Sequence, residues 1–150
     1  MHPGIILYPL TAVWLLLLVA SSALASEYRI KFERYQQMAS WFSYPDELPF
    51  VTFFAKDGRC VLQQELDLDW TATRLASPET LVPDPECRIF RSDGPGTQGL
   101  TSQSRWHIHL WTLDIDSCPV CEHAETQLRS LLEENPDQFS LTISRVFFPE

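Results

Sequence analysis

The chain is 150 residues long, 45% hydrophobic, with a formal charge of -9, 11 prolines, five tryptophans, four histidines and four cysteines. A chain this acidic has no basic patch for nucleic acid or anionic lipid as a main partner. It also contains no glycine-rich phosphate loop and no serine-nucleophile motif, and its charges are dispersed rather than run together.

Residues 5–25 form an apolar block that ends in Ala23-Leu24-Ala25, the small-x-small pattern favoured by signal peptidases. We read residues 1–25 as a signal peptide cut before Ser26, which places the mature protein in the periplasm or outside the cell. The positive end of this signal is weak, offering only His2 and the amino terminus. Its apolar run approaches the roughly 18 residues of a membrane span. An uncleaved N-terminal anchor is therefore the alternative, and the only route by which the chain meets a membrane. Residues 26–150 then make one domain that retains every charged side chain, with a loop-rich segment at 76–105.

Tyr28, Ile30 and Phe32 alternate with charged residues, the period of a half-buried strand. Tyr35, Met38 and Trp41 or Phe42 follow at helical spacing. After Pro45 and Pro49, the runs Phe50-Val51-Thr52-Phe53-Phe54 and Cys60-Val61-Leu62 flank Lys56-Asp57-Gly58-Arg59. Asp-Gly is a strong turn signal, so this is the firmest hairpin in the chain. Residues 67–75 are read as a short helix. From Ser77 to Ser104 four prolines and three glycines, Pro78, Pro83, Pro85, Gly94, Pro95, Gly96 and Gly99, leave room only for a short strand at Arg88-Ile89-Phe90.

The last third is the clearest. Trp106 to Ile115 reads as a strand apolar on both faces, Cys118 to about Glu134 as a helix, and Phe139 to Phe148 as a strand with one buried face. Ser117 is the expected N-cap, with Pro119 in the first turn. Val120, Ala124, Leu128 and Leu131 share one helical face. The unit is β-α-β, and right-handed crossover sets its strands parallel.

Cys118-Pro119-Val120-Cys121 stands where this strand gives way to the helix. A thiolate is stabilised there by exposed backbone N–H groups and the helix dipole, so Cys118 is the expected attacking thiol and Cys121 the resolving one. Four cysteines allow three pairings. The local pair is the simplest and leaves Cys60 with Cys87 as a structural bridge. The competing arrangement has one of those two free and exchanging with the C-x-x-C pair.

A hydrophobic strand, a loop, Cys-Pro-x-Cys at a helix start and a second strand resemble the active-site half of the thioredoxin-like and glutaredoxin-like oxidoreductases. The resemblance covers residues 106–148. It implies an α/β fold (α+β being the alternative) with a small thioredoxin-like sheet, and thiol-disulfide exchange on other extracytoplasmic proteins without a cofactor. Members of that family carry a cis-proline loop and a β-hairpin after the second strand, whereas this chain stops at Glu150. The segment Leu48 to Phe54 with its Asp57-Gly58 turn looks like that element but precedes the C-x-x-C. The expected sheet is therefore permuted or reduced, with the hairpin docked beside the C-terminal unit. Ser117 also stands where thioredoxins usually have tryptophan.

Two other uses of the cysteines stay open. One is a static staple in a non-catalytic interaction module. The other is a zinc or copper site, because His107 and His109 alternate on one strand and Cys118, Cys121 and His123 follow, supplying nitrogen and sulfur ligands. Against the metal reading, His107 and His109 are also explained as polar residues on a solvent-facing or loop-covered strand face, and His123 as a solvated helix residue beside the thiolate. Asp114 and Asp116 are either acceptors for the Cys118 proton or plain loop acids. Trp41, Trp70, Trp106 and Trp111 are read mostly as core residues.

Overall fold

The computed structural model describes residues 25–42, 44, 45, 47–85, 87 and 105–150. The segment read as a signal peptide, up to Leu24, and the strand expected at Arg88-Ile89-Phe90 lie outside the described residues. In chain order the elements are β1 (Ser26–Lys31), α1 (Phe32–Phe42), β2 (Phe50–Phe54), β3 (Cys60–Glu65), β4 (Trp106–Leu113), α2 (Pro119–Glu134) and β5 (Phe139–Phe147). The strands form one mixed sheet in the order β1-β5-β4-β2-β3, so the fold is α/β. Among the described residues no helix is long and apolar enough to cross a membrane.

Strand β4 is central because its side chains are apolar on both sides. Six of its eight residues, His107 to Thr112, are buried. It runs parallel to β5, with Trp106 opposite Phe139 and Leu113 opposite Val146, and α2 makes the crossover. On its other side β2 lies antiparallel, with Phe50 opposite Trp111 and Phe54 opposite His107. The hairpin β2–β3 and the β-α-β unit are thus neighbours in one sheet.

The hairpin turn is built as its residues require. Gly58 adopts φ 81°, which a residue without Cβ reaches at no steric cost. The Ala55 N–H donates to the Arg59 carbonyl at 2.8 Å, and Asp57 Oδ1 accepts from the Arg59 N–H at 3.1 Å. A bulge between Phe53 and Phe54 shifts the register, and at its far side Cys60 is bonded to Cys87. That disulfide ties the end of the loop 66–87 to the edge strand, helped by the Asp84 N–H donating to the Val61 carbonyl at 2.8 Å.

Each face of the sheet has its own core. Val51, Phe53, Ile108, Leu110, Leu141 and Ile143 point to the side where Ala124, Leu128, Leu131 and Leu132 of α2 pack. Burying a leucine of this kind is worth about 1.5–3 kcal/mol. On the opposite face Phe50, Trp111 and Val146 meet Tyr35, Met38 and Tyr44. Trp111 anchors that cluster, its ring centroid 5.0 Å from Tyr44 and 5.7 Å from Tyr35.

Several local expectations are corrected. Strand β1 is mostly exposed, with Tyr28 57% accessible, because among the described residues it is the sheet edge with β5 as its one strand neighbour. Polar contacts hold it instead: Glu27 accepts from Arg129 of α2 at 2.6 Å and from Arg145 of β5 at 3.4 Å. The Arg129 hydrogen bond keeps the Glu27 carboxyl below its ordinary range. Trp41, expected in the core, is exposed, since α1 buries Tyr35 and Met38 and position 41 has turned off that stripe; the Arg34 guanidinium lies over its ring. Residues 67–75 do not form an α-helix. Asp67 closes a turn through Asp69 and Trp70, and two 3-10 turns follow at Ala72–Ala76 and Pro78–Thr80. Aspartate side chains that bond nearby backbone N–H groups compete with helix there. The strand expected to reach Ile115 ends at Leu113, and that expected to reach Phe148 ends at Phe147.

Candidate functional site

Strand β4 delivers the chain to one end of the sheet, where five residues lead into α2. The N-cap of α2 is Cys118, not Ser117. Its Sγ accepts the Cys121 N–H at 3.2 Å, and Pro119 occupies the first turn. The sulfur therefore takes the place a serine hydroxyl was expected to fill, meeting one of the four N–H groups a helix start leaves unbonded. Cys118 and Cys121 are joined as a disulfide with their Cα atoms 5.2 Å apart. Cys118 is partly exposed, whereas Cys121 is 5% exposed. A substrate sulfur thus has access from the Cys118 side, and the second sulfur faces the protein.

Three further segments frame this end. Pro49 follows a cis peptide bond from Leu48 and precedes Phe50, which pairs with Trp111, so it lies beside the last residues of β4. The Leu66 N–H donates to the Pro49 carbonyl at 3.0 Å, bringing the turn after β3 to the same end. The Trp70 carbonyl then receives a hydrogen bond from His123 Nε2 at 2.7 Å. A carbonyl only accepts, so Nε2 carries the hydrogen of this bond. The chain thus runs from Pro49 through the 66–70 turn to the second turn of α2. Of the loop acids, Asp114 is committed to Arg29 at 2.7 Å, while Asp116, Glu122, Asp67 and Asp69 are exposed. His123 is half-buried and bonded rather than solvated. Sequence reading missed this contact, since a backbone acceptor such as the Trp70 carbonyl has no residue signature.

His107 and His109 belong elsewhere. Both are 8% exposed, which corrects the solvent-facing expectation. They lie on the face of β4 opposite α2, where His107 Nδ1 is 2.9 Å from Ser140 Oγ and His109 Nε2 is 2.8 Å from Ser144 Oγ, both serines on β5. His109 also stacks on Trp111 with centroids 4.6 Å apart. The proposed ligand set His107, His109, Cys118, Cys121 and His123 is therefore not assembled: the two strand histidines face one side, and the cysteines and His123 belong to α2 and its start on the other. Among the described residues no group of three or more His, Cys, Asp or Glu side chains is placed to hold a metal ion.

Burial lowers the His107 pKa to about 4 and, with the charge of its neighbour added, that of His109 to about 3. The unfolded chain, with histidines near 6.5, therefore binds more protons than the folded one at mildly acid pH. Folding stability from this pair is complete above pH 6.5 and is lost as pH falls toward the folded values. Urea titrations should show a loss of about 2 kcal/mol for each histidine between pH 6.5 and 5. In H107Q/H109Q that slope should flatten; an unchanged slope would assign the loss to other groups.

Protein-family models, curated proteins and solved structures were all compared with the chain, and none matches it.

Proposed function

We propose that this protein is an extracytoplasmic thiol-disulfide exchange protein of thioredoxin-like architecture, with Cys118 and Cys121 as its reacting pair. The observation that carries the reading is the Cys118–Cys121 disulfide at the start of α2, its first cysteine accessible and accepting a backbone N–H. The arrangement of the sheet supports it. A strand leading to Cys-Pro-x-Cys, a crossover helix, a parallel strand and an adjacent antiparallel hairpin are parts that such a sheet would need. Here the hairpin comes first in the chain, and β1 adds an edge strand beside β5. The apolar N-terminal sequence and the two disulfides suit a location outside the cytoplasm.

In the reducing direction the Cys118 thiolate attacks a substrate disulfide, forming a mixed disulfide and releasing one substrate thiolate. The Cys121 thiolate then attacks Cys118 Sγ, closing the Cys118–Cys121 bond and releasing the second substrate thiolate. The substrate gains two electrons and takes up two protons from solvent. Run backwards, the same steps oxidise a substrate dithiol. The exposed acids Asp67, Asp69, Asp116 and Glu122 favour partners whose cysteines are flanked by lysine or arginine.

Equilibration in glutathione buffers, read by mass after alkylation, tests the proposal. The expected reduction potential lies between about -270 and -120 mV, the span of working dithiol couples. A value below about -300 mV would make the bond a structural staple.

A further inference from the structure

One buried group at the end of β4 that leads to the cysteines has no hydrogen-bond partner among the described residues. Thr112 is 0% exposed, and its Oγ1 makes no hydrogen bond among the described residues. A hydroxyl enclosed in this way costs roughly 1–3 kcal/mol. The position is specific. Side chains alternate along β4, so Thr112 shares the face of Ile108 and Leu110, which pack in the core with Ala124 and Leu128 of α2. In a β-α-β crossover the helix runs back along its strands, so the end of β4 lies under the start of α2. There the first inward-facing residue of α2 is Cys121, itself 5% exposed. On either side Thr112 is flanked by Arg145 of β5 and by the Pro49 end of β2.

We infer that Thr112 is the positioning residue for the resolving thiol, its hydroxyl unbonded in the disulfide state and bonded to Cys121 once the pair is reduced. This rests on the redox reading above. Reduction by two equivalents of a thiol such as glutathione, which is oxidised to its own disulfide, adds two electrons and two protons, breaks the Sγ–Sγ bond and lets the sulfurs separate from bonded distance to van der Waals contact. Cys121 Sγ then turns from its partner toward the core, where water is excluded and Thr112 is the polar group at hand. The hydroxyl can both accept and donate. It accepts from the Cys121 S–H while the thiol is protonated, and donates O–H to the thiolate once the proton has passed to solvent, as Cys121 attacks Cys118 Sγ and the substrate thiolate leaves from the broken mixed disulfide to take up a proton in turn. Because the bond exists in the dithiol alone, it favours reduction and eases the resolving step.

The test compares wild type, Thr112→Val, which keeps the volume and removes the hydroxyl, and Thr112→Ser, which restores it. In glutathione buffers the Val variant should shift about tenfold toward the disulfide, equal to about 30 mV, and Ser should return to the wild-type value. Release of glutathione from a Cys118 mixed disulfide should require higher pH in Val than in wild type or Ser. Val within twofold of wild type, or Ser behaving as Val, would overturn the role of Thr112. A second readout needs no change at position 112. In reduced Cys118→Ala protein the infrared S–H stretch of Cys121 should stand at the lowered frequency of a hydrogen-bonded thiol, and a free-thiol frequency would overturn the inference. If wild type itself stays oxidised across the titration, the redox reading falls first, an outcome distinct from a titrating wild type matched by Val.

Discussion

Cys121→Ser should convert the protein into a trap for its partners. With Cys118 left to attack and no second sulfur to resolve, each reaction stops at the mixed disulfide. Partners should then accumulate as adducts that run as higher-mass bands on non-reducing gels and dissolve on adding dithiothreitol. Cys118→Ser should form no such adducts and should lose reduction of an insulin-type disulfide down to the buffer background, because the remaining sulfur is 5% exposed. The pair of variants discriminates sharply. If Cys118→Ser retains wild-type activity, or if both variants trap equally, the assignment of roles along Cys118-Pro119-Val120-Cys121 is wrong. The asymmetry follows from position: Cys118 caps the helix at the surface, and Cys121 lies one turn on, facing the core.

Removing the other disulfide should act on stability and leave chemistry intact. The bond between Cys60 and Cys87 spans a sequence separation of 27 residues. Constraining a loop of that size in the unfolded chain is worth about 3.5 kcal/mol on the chain-entropy model. In Cys60→Ala/Cys87→Ala the thermal midpoint should fall by roughly 10–15 °C for a domain of this size. Disulfide exchange at Cys118, measured well below that midpoint, should be unaltered. The reason is geometric. Cys60 pairs with Phe54, opposite His107 near the beginning of β4, whereas Cys118 follows the end of that strand. Calorimetry measures the first effect and turnover the second. A loss of exchange in the folded double variant would show that the two bonds communicate.

The parts that the sequence made legible are those where local chemistry and burial agree. The β4-α2-β5 unit announces itself because the strand is apolar on both faces, the helix carries Ala124, Leu128 and Leu131 on one stripe, and Asn135-Pro136 ends it. Asp57-Gly58 fixes the hairpin through the positive φ it permits. Legibility fails where tertiary context decides. Nothing in Ser26–Lys31 says that the strand is an edge held by Arg129 and Arg145, since alternation reports a half-buried surface only if something covers it. His107 and His109 alternate as ligands would, yet their partners are serines on a strand formed more than thirty residues later. The C-x-x-C is legible from its own four residues. Its surroundings, Pro49, the Trp70 carbonyl and the Thr112 hydroxyl, come from three separate stretches of chain that only the sheet order brings to one end.

That sheet order also governs the route by which the chain assembles. Strands β1, β2 and β3 leave the ribosome first, but β1 docks on β5 and β2 docks on β4, so most of their pairing waits for the last third of the polypeptide. The hairpin can zip locally while its second edge stays bare, and a bare edge recruits strands from other molecules. A holdase that shields the N-terminal half until β4 emerges would raise the yield of native protein, and any chain broken off before Trp106 would be left as unpaired ribbon prone to clumping.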